Sequence, residues 1–209
     1  MPWHTTNLDP APDTEAAPAA VDVRGHAAII AGVGAGKTAL ARRIAANAAE
    51  CGAAVLVAAP KATAEWDGMG AGIHVAYGPA EAARILGEAG TLMHDRSGPA
   101  APLLVVVDEA GLLTRERPGA AGPLADLLQY GAPVGVSVVA AYQAWPYEAH
   151  PHQGYGTVAL GRLSPQQHRT LTGQAPADTA PRRPGEWALL LGDAPDVRGP
   201  LTFPVPAAV

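Results

Sequence analysis

The chain has 209 residues and a formal net charge of −5, which gives one domain with a sizeable core and excludes a protein that coats nucleic acid through bulk positive charge. Only 16% of its residues are charged, which excludes a coiled coil and a charge-rich disordered chain. A single cysteine, Cys51, excludes an intrachain disulfide and a multi-cysteine zinc site.

Residues 1–20 carry Pro2, Pro10, Pro12 and Pro18 without periodicity and read as a flexible N-terminal arm. They lack the basic start and apolar stretch of a secretory signal, and no run of 18 apolar residues follows. The expectation is a cytoplasmic protein without direct membrane insertion. From residue 21 the pattern changes. Residues 26–31 form a short apolar run that ends in a Gly-rich turn, and residues 38–50 follow with helical periodicity. Leu40, Ile44 and Ala48 share one face of that helix, and Gly52 is its stop. Residues 54–58 and 73–77 read as strands, and residues 79–96 as a helix with Pro79 in its first turn. Residues 103–107, Leu-Leu-Val-Val-Val, are the most strand-like run in the chain. A short helix over 124–130, a strand over 134–141, a strand over 157–160, a helix over 165–171 and a strand over 186–191 complete the series. Apolar strands alternating with helices predict an α/β fold, a mostly parallel sheet with helices on both faces. The domain spans residues 21–192, and the Pro-rich residues 193–209 read as a tail.

Three motifs carry chemistry. The first, Ala31-Gly-Val-Gly-Ala-Gly-Lys-Thr38, fits the phosphate-binding P-loop except that Ala31 stands where the first Gly is usual. In such a loop the backbone N–H groups of Gly32, Val33, Gly34, Ala35, Gly36, Lys37, Thr38 and Ala39 wrap phosphate oxygens at a helix N-terminus. Lys37 reaches the β- and γ-phosphates of ATP, and the Thr38 hydroxyl ligates Mg²⁺. The second motif places Asp108 and Glu109 directly after the 103–107 strand. Asp108 then holds Mg²⁺ and Glu109 is the general base for the attacking water. The third ends the 134–141 strand at Gln143, a polar group placed to sense the γ-phosphate. Together they predict a P-loop NTPase of the RecA-like type.

The order of these motifs, with Ala59-Pro60-Lys61 after the second strand and Arg169-Thr170-Leu171 downstream, resembles the FtsK/HerA superfamily of DNA-translocating ATPases. The similarity covers about residues 21–191. It implies a homo-oligomeric, hexameric ring that moves double-stranded DNA, with capsid, portal or conjugation proteins as further partners. It also implies an arginine finger acting in trans. Thr157 stands where family members carry that arginine, so Arg162 and Arg169 are the candidates to replace it. Ala59 replaces the family's Asp, and Tyr142-Gln143-Ala144 its Thr-Gln-Arg.

Other features have plainer readings. His150 and His152, near Tyr155, read as a solvated loop for want of an acid or cysteine at ligand spacing. Arg115 and Arg117, in a Gly/Pro-flanked loop, either meet DNA phosphate or a neighbouring subunit or are solvated. Trp66 and Trp145 read as packing residues in loops. Two rival functions remain open: a small P-loop kinase, which the Asp108-Glu109 pair disfavours, and an ATP-dependent switch or assembly factor.

Overall fold

The computed structural model describes residues 6–8, 19–21, 25–96, 100–145, 154–173, 180–191 and 194–202. Two short strands, β1 (Thr6–Leu8) and β2 (Ala19–Val21), pair antiparallel within the N-terminal arm. The body begins at β3 (Ala27–Ile30), followed by α1 (Lys37–Glu50), β4 (Ala54–Ala59), β5 (Ile73–Tyr77) and α2 (Pro79–His94). Then come β6 (Leu103–Val107), α3 (Ala110–Glu116), α4 (Ala121–Tyr130), β7 (Val136–Tyr142) and β8 (Thr157–Leu160). The chain continues through α5 (Pro165–Thr172), β9 (Glu186–Leu191) and β10 (Ala194–Thr202).

Eight strands form one sheet in the order β10-β9-β8-β3-β7-β6-β4-β5. The six from β8 to β5 are mutually parallel, while β9 and β10 run antiparallel at one edge. The central strands are apolar but for Ser137 in β7 and Thr157 in β8, because both faces are covered. Alternation along each strand divides the core in two. Ala27, Ile29, Val55, Val57, Leu104 and Val106 face α1, which presents Leu40, Ile44 and Ala48 to them. Ala28, Ile30, Val105, Val107, Val138 and Ala140 face the opposite layer, where α2 contributes Ile85 and Leu86 and α4 contributes Leu124 and Leu127.

Besides the paired strands β1 and β2, which lie in a segment read from the sequence as an arm without periodicity, three segments differ from the sequence reading. The residues just after Glu109 form helix α3, which carries Arg115, with Arg117 as its C-cap; they are not a loop. Residues 132–134 form a 3₁₀ turn, so β7 starts at Val136. The sheet also continues past residue 192, since β10 pairs with β9 across a register that shifts twice. No helix among the described residues is long and apolar enough to cross a membrane.

β7 lies between β3 and β6. The strand preceding the P-loop and the strand bearing the acid pair are therefore not neighbours, and the two motifs face each other across the carboxyl end of β7.

Candidate nucleotide-binding site

The P-loop, Lys61, the acid pair, Gln143 and Arg162 lie at the carboxyl edge of the parallel strands, where α/β sheets place ligands, whereas Arg169 lies on α5. The P-loop follows β3, Lys61 follows β4, the acids follow β6, Gln143 follows β7 and Arg162 follows β8.

The loop is anchored at its base by backbone bonds on two sides. Ala31 N–H donates to Tyr142 O at 3.1 Å, and Gly32 N–H to Arg162 O at 2.9 Å. Gly36 caps α1 at φ 93°, a left-handed conformation open to glycine. No side chain caps that helix end, so its N–H groups remain available to an anion. Val33, at the loop tip, is 70% exposed.

Ala31, the departure from the motif, is completely buried. Its methyl group has room because Gly161 lies opposite: a Cβ on Gly161 would stand 2.7 Å from Ala31 Cβ and 2.9 Å from Trp187. The loop's missing glycine is thus answered by a glycine on the neighbouring strand end.

Lys37 is buried and its ammonium donates to Gly32 O at 3.1 Å, with Glu109 Oε1 4.0 Å away. Burial pushes its pKa down, and the Glu109 and Asp108 carboxylates oppose that shift. Thr38 Oγ1 donates to Asp108 at 3.2 Å (Oδ2) and 3.4 Å (Oδ1). Asp108 is itself buried, which raises its carboxyl above the usual range; bonds from Trp66 and Thr38 pull it back. A hydroxyl and a carboxylate in contact are the hard oxygen donors that Mg²⁺ takes beside phosphates and water. The residues present therefore fit a Mg²⁺–nucleotide.

Glu109 accepts from Lys61 Nζ at 2.9 Å. It adopts φ 54°, ψ 51° and starts α3, its carbonyl accepting from Leu112 and Leu113 N–H. Lys61, Glu109, Arg115 and Gln143 line one cavity of about 350 Å³, so Gln143 shares a cavity with Glu109. Arg162 lies on its own P-loop, with Nη2 3.5 Å from Val33 O, whereas Arg169 is exposed on α5. His150 and His152 fall outside the described residues. Two participants were given no chemical role from the sequence. Trp66, in a 3₁₀ turn between β4 and β5, donates its indole N–H to Asp108 Oδ2 at 2.9 Å. Lys61 was visible only as part of Ala59-Pro60-Lys61.

The sequence matches no protein-family model and no curated protein. Solved structures match well. The cytoplasmic domain of the type VII secretion ATPase EccC from Thermomonospora curvata is 20% identical with a TM-score of 0.73, over 100% of this chain and 30% of that one. The pCW3 conjugation coupling protein TcpA, solved with ATPγS, is 14% identical with a TM-score of 0.75, over 97% of this chain and 70% of that one. The chain has the fold of these ATPase domains. The genome packaging NTPase B204 of Sulfolobus turreted icosahedral virus 2, in complex with ATPγS, shares it at 8% identity and a TM-score of 0.60, over 88% of this chain and all of that one. The chain thus spans less than a third of the EccC structure but the full length of B204.

Proposed function

We propose that this protein hydrolyses ATP with Mg²⁺ and uses the energy to translocate double-stranded DNA as a homo-oligomeric ring. The observation that carries the ATPase reading is the convergence of Lys37, Thr38, Asp108 and Glu109 at one sheet edge. In this mechanism the P-loop N–H groups and Lys37 bind the β- and γ-phosphates, which fixes the terminal phosphorus for attack. Thr38 and Asp108 hold Mg²⁺, which when bound neutralises charge on the phosphate oxygens. Glu109 takes the proton of the attacking water, and Gln143, which lines a cavity with Glu109, contacts the γ-phosphate. A kinase would need a site for an acceptor hydroxyl in place of an activated water, and an acid directly after the metal-binding Asp favours water. DNA as the moved polymer is supported by the resemblance in motif order and by the conjugation and packaging proteins among the structural neighbours.

The test is ATP turnover by the purified protein, with and without double-stranded DNA. Turnover should rise with DNA and vanish in Lys37→Ala, which removes the loop's cationic contact with the terminal phosphate. A Lys37→Ala protein as active as its parent would refute the ATPase reading. DNA-independent turnover in the parent would refute translocation and leave a switch or a secretion-type motor.

A further inference from the structure

The loop between β4 and β5 reaches the acid pair at a second point, and its contact is unlike the others. Trp66 is fully buried in the core layer that faces α1. Its ring nitrogen nonetheless meets a carboxylate, Asp108 Oδ2, at 2.9 Å. Oδ2 also has the shorter of the two Thr38 contacts, 3.2 Å against 3.4 Å for Oδ1. One oxygen of Asp108 is therefore held by two donors, and the other is left with the longer contact alone. An indole N–H donates and never accepts, so Trp66 favours the anionic carboxylate in one orientation.

The turn that carries Trp66 is fixed in its own right. Thr63 N–H donates to Lys61 O and Asp67 N–H to Ala64 O. Tyr77 Oη, on β5, donates to the Asp67 carboxylate at 2.6 Å. Arg42, on α1, reaches Asp67 O at 3.4 Å and Met69 Sδ at 3.3 Å. The segment that follows the indole is thus tied to both β5 and α1.

We propose that Trp66 is a positioning residue that fixes the Asp108 carboxylate for Mg²⁺. This rests on the Mg²⁺–ATP reading of the site. Outer donors of this kind set metal affinity by roughly 10–100-fold. Trp66→Phe keeps most of the buried ring and deletes only the N–H donor. The measurement is binding of a fluorescent ATP analogue, first in EDTA and then titrated with Mg²⁺. The Mg²⁺ concentration at half-maximal enhancement should rise about tenfold or more in Trp66→Phe, with binding in EDTA unchanged. In an Asp108→Asn background the same substitution should add nothing, because its effect passes through that carboxylate.

An unchanged Mg²⁺ midpoint in Trp66→Phe overturns the proposal. So does an equal weakening in EDTA, which would mark Trp66 as packing alone. If the parent itself shows no Mg²⁺-dependent ATP binding, the underlying reading fails, a result distinct from both. If Trp66→Phe does not fold, the parent's indole ¹⁵N–¹H resonances decide. The resonance displaced in Asp108→Asn must also move when Mg²⁺ joins bound ATP, and a stationary signal overturns the assignment.

Discussion

At Glu109 the backbone enters the left-handed region, the sole non-glycine residue to do so among those described. For an L-residue that conformation costs about 1–2 kcal/mol, and such strain gathers at functional sites. Asn tolerates the region better than Glu. Glu109→Asn should therefore melt no lower than the parent while losing the base, and a melting temperature several degrees lower would disprove the strain. Glu109→Gln keeps the side-chain shape, so it should still bind Mg²⁺–ATP and turn over at least ~100-fold more slowly, the usual size of a general-base contribution. A rate within a few-fold of the parent would assign the base elsewhere.

His26 makes a different prediction. Its buried Nδ1 accepts from Val138 N–H at 3.1 Å at the amino end of the β3–β7 ladder. Burial lowers its pKa from 6.5, so below that value the unfolded chain takes up a proton that the folded chain resists. Its contribution is complete above about pH 6.5 and declines as the pH falls through that value toward the folded pKa. Chemical denaturation between pH 7.5 and 5.5 should show this loss. His26→Gln, whose amide oxygen can still accept from Val138, should flatten it, and an unchanged slope would show that other groups are responsible.

Among the elements, the contact between the ends of β3 and β8 is the tightest constraint on the P-loop. Gly161→Ala would force a methyl group against Ala31 and Trp187, an overpacking that costs about 1–3 kcal/mol and shifts the loop base. Ala31→Gly in the same molecule should return part of the lost stability, because it empties one side of the clash. Thermal melts of the two single variants and the double variant check this, and strict additivity would exclude the coupling. The same contact explains what the sequence could reveal. Strands such as β6 were legible because a strand buried on both faces is apolar at nearly every position. The acid pair and the P-loop were legible because phosphate chemistry demands fixed residue types at fixed spacing. The role of Gly161 was not, since it depends on a residue 130 positions earlier. Trp66 was invisible for the same reason, an indole in an irregular segment whose partner lies 42 residues away. Helix α3 was hidden by its length of seven residues and by Gly111 and Pro118 near its ends. The edge strand β10 was hidden by the Pro and Gly that usually mark loops.

For the whole molecule, the site lies open at one edge of the sheet, with the loop tip at Val33 exposed. Arg162 is already engaged with its own loop, which leaves Arg169 as the better candidate to complete a neighbour's site. If the ring forms, turnover per subunit should rise with protein concentration and again with double-stranded DNA. The DNA effect should weaken with added salt, because phosphate contacts release counterions. Subunits carrying Glu109→Gln, mixed with subunits carrying Arg169→Ala, should recover part of the activity that each lacks alone, since the first supplies the arginine and the second the base. No recovery over the two separate rates would rule out a trans arginine at this position.

Helix α1 begins at Lys37 and is capped at its other end by the exposed Cys51. Fourteen residues of helix put that thiol about 21 Å from the phosphate-binding end, on the opposite rim of the sheet. The sequence contains no other cysteine, so a thiol-reactive dye attaches at one place without any engineering. A fluorophore there would stand clear of the nucleotide yet be tied to it by a rigid rod, at a separation suited to energy transfer to a labelled ATP. Nucleotide arrival could thus be followed optically in the unaltered protein.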